Sequence, residues 1–126
     1  MKKTKVGFQG EHGAFSEAAI LSHFRGPVGP IPHKTIRETF NSIEAGSADA
    51  GVVPVENSIE GSVYETFDML LTSSVKVAGE IVLRVVHCLI GLPGTKITDV
   101  KAVYSHPQAL AQCRGFIASL PIEPIV

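Results

Sequence analysis

No apolar stretch of this chain is long enough to cross a bilayer. The best run, residues 81–92, is broken by Arg84 and His87 and falls short of the roughly 20 residues a membrane helix needs. Charge of one sign is also missing. Eleven basic side chains face twelve acidic ones for a net charge of -1, which leaves no electrostatic footprint for nucleic acid. The small cluster Lys2, Lys3 and Lys5 reads as a solvated end. Cysteine is scarce: Cys88 and Cys113 have neither CxxC nor metal-ligand spacing and read as small buried hydrophobes. The five histidines, at 12, 23, 33, 87 and 106, never fall at HExxH or HxxxH spacing, so a metal site has no support. His23 and His33 read as surface residues, and His87, inside an apolar run, as a satisfied core histidine. The three-glycine dinucleotide fingerprint, the GxxxxGK[ST] phosphate loop and the GxSxG nucleophile elbow are all absent. The start of the chain passes from lysines directly into Val6, Gly7 and Phe8 with no apolar signal segment, so a cytoplasmic protein is expected.

What is present is an alternation of extended and helical patterns over 126 residues, enough for one modest domain with a real core. Residues 5–9 read as a strand and 14–24 as a helix. Residues 28–33, rich in proline and glycine, read at best as a short edge strand. Thr35 with Glu38 forms a capping box, Ile36, Phe40 and Ile43 follow on one helical face, and Gly46 stops that helix. Residues 50–55 read as a buried strand. Ser62 with Glu65 forms a second capping box before Val63, Phe67, Leu70 and Leu71. Residues 75–92, rich in β-branched side chains, predict one or two strands closed by a Pro93-Gly94 turn. Residues 101–105 predict another strand. Pro107 opens a helix carrying Leu110, Cys113, Phe116, Ile117 and Leu120, and Pro121 ends it before an extended segment at 122–126. The order β-α-β-α-β-α-β-β-α-β is that of an α/β protein with a mainly parallel sheet. The change of rhythm near residues 76–80 predicts a crossing into a second lobe, with residues 1–78 as the first lobe and 79–126 as part of the second.

Three strand-to-helix junctions concentrate polarity: 9–16, 56–62 and 105–108. Helix N-termini offer unpaired N–H groups and a positive partial charge, and ligands of open α/β sheets bind at the carboxyl ends of the strands. The junctions therefore predict a site for a small anion. Each also has a plainer reading. Ser62 and His106 serve equally well as caps, and Asn57 as the centre of an Asx-turn. Glu56 and Glu60 could work as paired carboxylates, or Glu60 could simply favour a helix dipole.

Four segments carry a family resemblance: FQGEHGAFSEAA from Phe8, VPVENSIEGSV from Val53, GEIVLRVVHCLIG from Gly79 and SHPQALAQC from Ser105. In order and spacing they resemble the motifs of prephenate dehydratase, and the related arogenate dehydratases share them. The resemblance implies a two-lobed α/β fold similar to type II periplasmic binding proteins, with mainly parallel sheets. It implies conversion of prephenate, or arogenate, without metal or organic cofactor; the alternative reading of such a two-lobed scaffold is a non-catalytic module that binds an amino acid or keto acid. Implied substrate contacts are Gln9, Ser16, Asn57, Ser58, Gly61, Ser62, Ser105, His106 and Gln108. The family's Thr-Arg-Phe motif and its phenylalanine-binding ACT domain would lie beyond Val126, so the chain is expected to be an N-terminal part, inactive alone. An uncovered edge near Val126 predicts a homo-oligomer. His12 stands where the family often has proline.

Overall fold

The computed structural model describes residues 2–59 and 61–126. Glu60, and with it the paired-carboxylate and helix-dipole readings, lies outside the described residues. The chain forms two compact units. One runs up to Asn57 and resumes over Gly61–Arg84, and the other is Val85–Val126 with Ser58 and Ile59.

The first unit is organised by a central strand, β1 (Thr4–Gln9), whose middle residues are buried on both faces. Its neighbours are both parallel, β2 (Val28–His33) on one side and β3 (Ala50–Val52) on the other. The prolines of β2 are tolerated because it is an edge strand, as expected. β3 is shorter than the six residues expected: Val53 precedes Pro54, and proline supplies no ladder donor, so pairing stops at Val52.

The two faces of β1 are filled differently. Val6 and Phe8 point toward α1 (Phe15–His23), where they meet Ile20 in a fully buried cluster. The alternate residue, Gly7, lies beside Gly51 of β3 and faces α2 (Ile36–Glu44). A Cβ on Gly51 would come within 2.7 Å of Ile43 Cδ1, so these glycines let α2 sit close to the sheet. The Thr35 hydroxyl accepts from Glu38 N–H at 3.1 Å, and the Glu38 carboxylate answers by accepting from Lys34 N–H at 2.9 Å. The reciprocal arm of the expected box thus reaches one residue further back. Gly46, at φ 72°, ends the helix where only glycine is comfortable.

After β3 the chain makes a small antiparallel hairpin, β4 (Glu56–Asn57) with β5 (Gly61–Ser62), and enters α3 (Tyr64–Thr72). The second expected capping box does not form. Val63 is the N-cap, without a side-chain bond, because Ser62 is held in the hairpin opposite Glu56. The buried face of α3 also differs. Thr66 and Met69 are buried while Phe67 and Leu71 are exposed, since Met69 with Val63 and Leu70 packs onto Ile36 and Phe40 of α2.

Residues 75–92 form no strand and no helix. Their β-branched composition suits a pleated ladder, but no strand among the described residues pairs with them, and a strand exists only with a partner. Pro93 and Gly94 form the expected turn, closed by Thr95 N–H on Leu92 O at 3.0 Å. The second unit pairs β6 (Ala102–Tyr104) in parallel with β7 (Glu123–Ile125). Between them lie α4 (Pro107–Gln112) and α5 (Arg114–Ala118), one expected helix broken at Cys113. Cys88 is exposed, contrary to its reading as a buried hydrophobe, because its segment packs into no sheet. His87 is likewise exposed, yet satisfied: its Nε2 lies 2.6 Å from Gln112 Oε1.

Candidate functional site

Within the first unit, Phe8 of β1 stands in register with Val52 of β3. The loops that follow these strands therefore leave the same edge of the sheet. That edge, at the carboxyl ends of parallel strands, is where open α/β sheets take small ligands.

The first loop joins Gln9, half-buried at the end of β1, to Ser16 in the first turn of α1. Gly10 has φ 125° and donates its N–H to His33 O at 2.9 Å, bending the chain off the sheet. Glu17 then ties the loop down. Its Oε2 accepts from Gly13 N–H at 2.7 Å, and its Oε1 lies 2.7 Å from His12 Nδ1. The Gly13 N–H first, and the His12 contact second, hold the Glu17 carboxyl below the usual carboxylate range. The His12 ring also meets Phe8 edge-on, centroids 6.1 Å apart. A histidine at this position thus braces the loop instead of proline. α1 itself begins without a side-chain cap.

The second loop is the β4–β5 hairpin. Its register pairs Glu56 with Ser62 and Asn57 with Gly61. Side chains alternate faces along a strand, so the sequence cluster Asn57, Ser58 and Ser62 is divided. Ser62 shares its face with the Glu56 carboxylate, while half-buried Asn57 is on the other face beside Gly61, which has no side chain to obstruct it. Gly61 sits at φ 84°, and a Cβ there would meet nothing within 4 Å, so backbone conformation and not crowding calls for glycine. Ser58 is exposed at the tip. The Asn57 carboxamide is a neutral hydrogen-bonding group.

In the second unit Ser105, His106 and Gln108 follow β6, and all three are exposed. Ser105 N–H donates to Ile125 O at 3.1 Å, which anchors the segment to β7. His106 does cap: its Nδ1 accepts from Gln108 N–H at 3.2 Å. That bond assigns the imidazole proton to Nε2, so the outer nitrogen is a donor. Among the described residues no group of three or more His, Cys, Asp or Glu could hold a metal ion. Sequence reasoning missed two residues that shape these loops, Glu17 and Thr66. Glu17 carried a signal, as an acidic side chain four positions after Gly13.

Parallel βαβ units with polar, glycine-bent loops at one sheet edge define an α/β protein of the class that receives small molecules at its strand ends. The chain belongs to the prephenate dehydratase family: the family's sequence model matches residues 6–125. The bifunctional chorismate mutase/prephenate dehydratase of Aquifex aeolicus is 46% identical over 126 residues, covering 99% of this chain and 34% of that protein. Among solved structures, GqqA, described as a novel type of quorum quenching acylase, superposes with a TM-score of 0.79 at 34% identity. The match covers 97% of this chain and 44% of GqqA. The prephenate dehydratase of Arthrobacter aurescens in complex with L-Phe gives a TM-score of 0.71 at 30% identity, covering 96% and 41%. The chain spans about a third of the length of the curated relatives it matches. Among the described residues no helix is long and apolar enough to cross a membrane.

Proposed function

We propose that this chain supplies part of the substrate site of a prephenate dehydratase, which converts prephenate to phenylpyruvate, water and carbon dioxide on the way to phenylalanine. The family match over residues 6–125 carries the reading, and the chemistry of the Asn57 hairpin supports it. In the reaction the bond pair of the ring carbon–carboxylate bond moves into the ring as carbon dioxide leaves. The ring hydroxyl departs with one added proton as water, and the ring becomes aromatic. Charge therefore drains from the ring carboxylate in the transition state. A cation gripping it would stabilise the ground state more than the transition state and slow the step. Neutral donors avoid that penalty, and the pyruvyl carboxylate, which keeps its charge, can be held throughout.

Asn57, beside Gly61 and away from Glu56, is the leading contact in this proposal. Gln9, Ser16, Ser58, Ser62, Ser105, His106 and Gln108 are carried as further substrate contacts, and His106 offers Nε2–H as another neutral donor. Proton transfer to the hydroxyl is assigned to no residue of this chain, and the two-lobe division of a prephenate dehydratase is part of the same proposal. Arogenate, which differs at the side-chain carbon, is the competing substrate. Homo-oligomerisation and a cytoplasmic setting belong to the proposal as well. The free thiols Cys88 and Cys113 suit a reducing compartment. The acylase description of GqqA does not displace the reading, because the family model and the Aquifex aeolicus relative both carry the dehydratase name.

Genetic rescue tests it. A chimera in which residues 6–125 replace the matched span of the Aquifex aeolicus relative should let a bacterium lacking its own prephenate dehydratase grow without phenylalanine. A chimera that accumulates as folded protein yet leaves the cells dependent on phenylalanine would contradict the proposal.

A further inference from the structure

The root of the Asn57 hairpin is held from an unexpected direction. Past Val52 the parallel ladder ends, and the chain turns away through Pro54, whose carbonyl still needs a donor. That donor arrives from twelve positions further along: the Thr66 hydroxyl, in the first turn of α3, lies 2.6 Å from Pro54 O. Thr66 is fully buried, at 0% exposure. Its helix is fixed by Met69, Val63 and Leu70 packing on Ile36 and Phe40, so the hydroxyl is presented by a rigid element. One residue beyond Pro54, Val63 N–H donates to Val55 O at 2.8 Å, and then the two ladder pairs follow. A hairpin whose strands are only two residues long is thus held at its root by Thr66 on Pro54 and Val63 on Val55, the first of these through a side chain. For packing alone, valine would fill the Thr66 position with the same shape and no polar group to satisfy. The hydroxyl is explained by the carbonyl it meets.

We propose that Thr66 is a positioning residue for the substrate site: it sets the angle at which the hairpin leaves β3, and so where Asn57 stands, without touching substrate. This inference rests on the reading of the hairpin as a substrate-binding element. Thr66→Val keeps the shape and removes the hydroxyl that donates to the Pro54 carbonyl, whereas Thr66→Ser keeps that donor.

Two measurements test it. In the chain itself, amide exchange followed by NMR should show the Val63 N–H exchanging about tenfold faster in Thr66→Val, as expected for a local opening once the bond from Thr66 to the Pro54 carbonyl at the hairpin root is lost. The Val6 and Phe8 amides of β1 should be unchanged, and Thr66→Ser should stay near the parent. In the Aquifex chimera, Thr66→Val should raise KM for prephenate about tenfold with little change in kcat, and Thr66→Ser should restore it. Unchanged Val63 exchange, uniform acceleration of every amide, or a lowered Tm with unchanged KM would overturn the inference. A parent chimera that binds no prephenate would overturn the hairpin's proposed role, while the exchange result would still decide whether Thr66 holds it.

Discussion

Replacing Asn57 by alanine removes one carboxamide from the β4–β5 hairpin. Asn57 pairs with Gly61 through its backbone, so the ladder of the β4–β5 hairpin survives the change. The root bonds, Thr66 on Pro54 and Val63 on Val55, do not involve its side chain. If the amide donates to a substrate carboxylate, its loss costs about 1.5–3 kcal/mol, the value of a hydrogen bond to a charged group. At about 1.4 kcal/mol per factor of ten, kcat/KM for prephenate should fall roughly ten- to hundredfold. The division of that loss is informative. A neutral donor to the ring carboxylate, whose charge drains in the transition state, holds the ground state at least as tightly as the transition state, so the loss should appear in KM and not in kcat. Asn57→Asp, nearly the same in shape, places a second negative charge beside the substrate and should bind prephenate more weakly than the alanine variant. The assay is phenylpyruvate formation by the Aquifex chimera over a range of prephenate concentrations, with a thermal melt of each variant. Were Asn57 only the centre of a turn, Tm would fall and activity per folded molecule would survive. A variant with unchanged Tm and parental kcat/KM would refute the reasoning.

Gly51→Val should destabilise the chain by about 1–3 kcal/mol in urea unfolding, because any Cβ there meets Ile43 Cδ1 at 2.7 Å and Thr39 Cγ2 at 3.1 Å. Adding Ile43→Val should recover part of that loss. Thr35→Ala should cost about 1 kcal/mol by removing a real cap, whereas Ser62→Ala, which removes none, should stay within about 0.5 kcal/mol of the parent. Stability should also fall in acid. Glu17 and Glu44 have carboxyl groups lowered from the ordinary value of 4.5 by hydrogen bonds, to Gly13 and His12 for the first and to the Ser74 N–H and hydroxyl for the second. A lowered folded value means that their contribution is complete above 4.5 and is lost as pH drops through the folded value. Urea midpoints should therefore decline below that pH, and Glu17→Gln with Glu44→Gln should flatten the decline; equal slopes in parent and double variant would count against it.

Much of the first unit was legible because its signals are local. Thr35 and Gly46 bracket α2 through groups within a few residues, and the prolines of β2 forced an edge position. Ser62 misled because a serine three residues before Glu65 looks the same whether it caps a helix or pairs in a hairpin. The choice was made by Gly61, whose positive φ lets the chain return on itself. The face of α3 was misread for a similar reason. Phe67 and Leu71 look more apolar than Thr66, but burial follows the direction of α2, and Thr66 goes inward because Pro54 satisfies its hydroxyl. Residues 75–92 have strand composition, and composition cannot supply a partner. At the candidate site, motif reading singled out loops that follow strands β1, β3 and β6, but the division of Asn57 from Ser62 depends on a register that no single strand encodes.

The central claim is that residues 6–125 contribute a working share of a prephenate dehydratase site, and it is tested most directly by product counting with the purified Aquifex chimera. Prephenate should yield phenylpyruvate and carbon dioxide in equal amounts, with Asn57→Ala losing most of that turnover at low substrate while keeping its Tm. A chimera that melts like its Aquifex parent yet releases neither product from prephenate or arogenate would contradict the account.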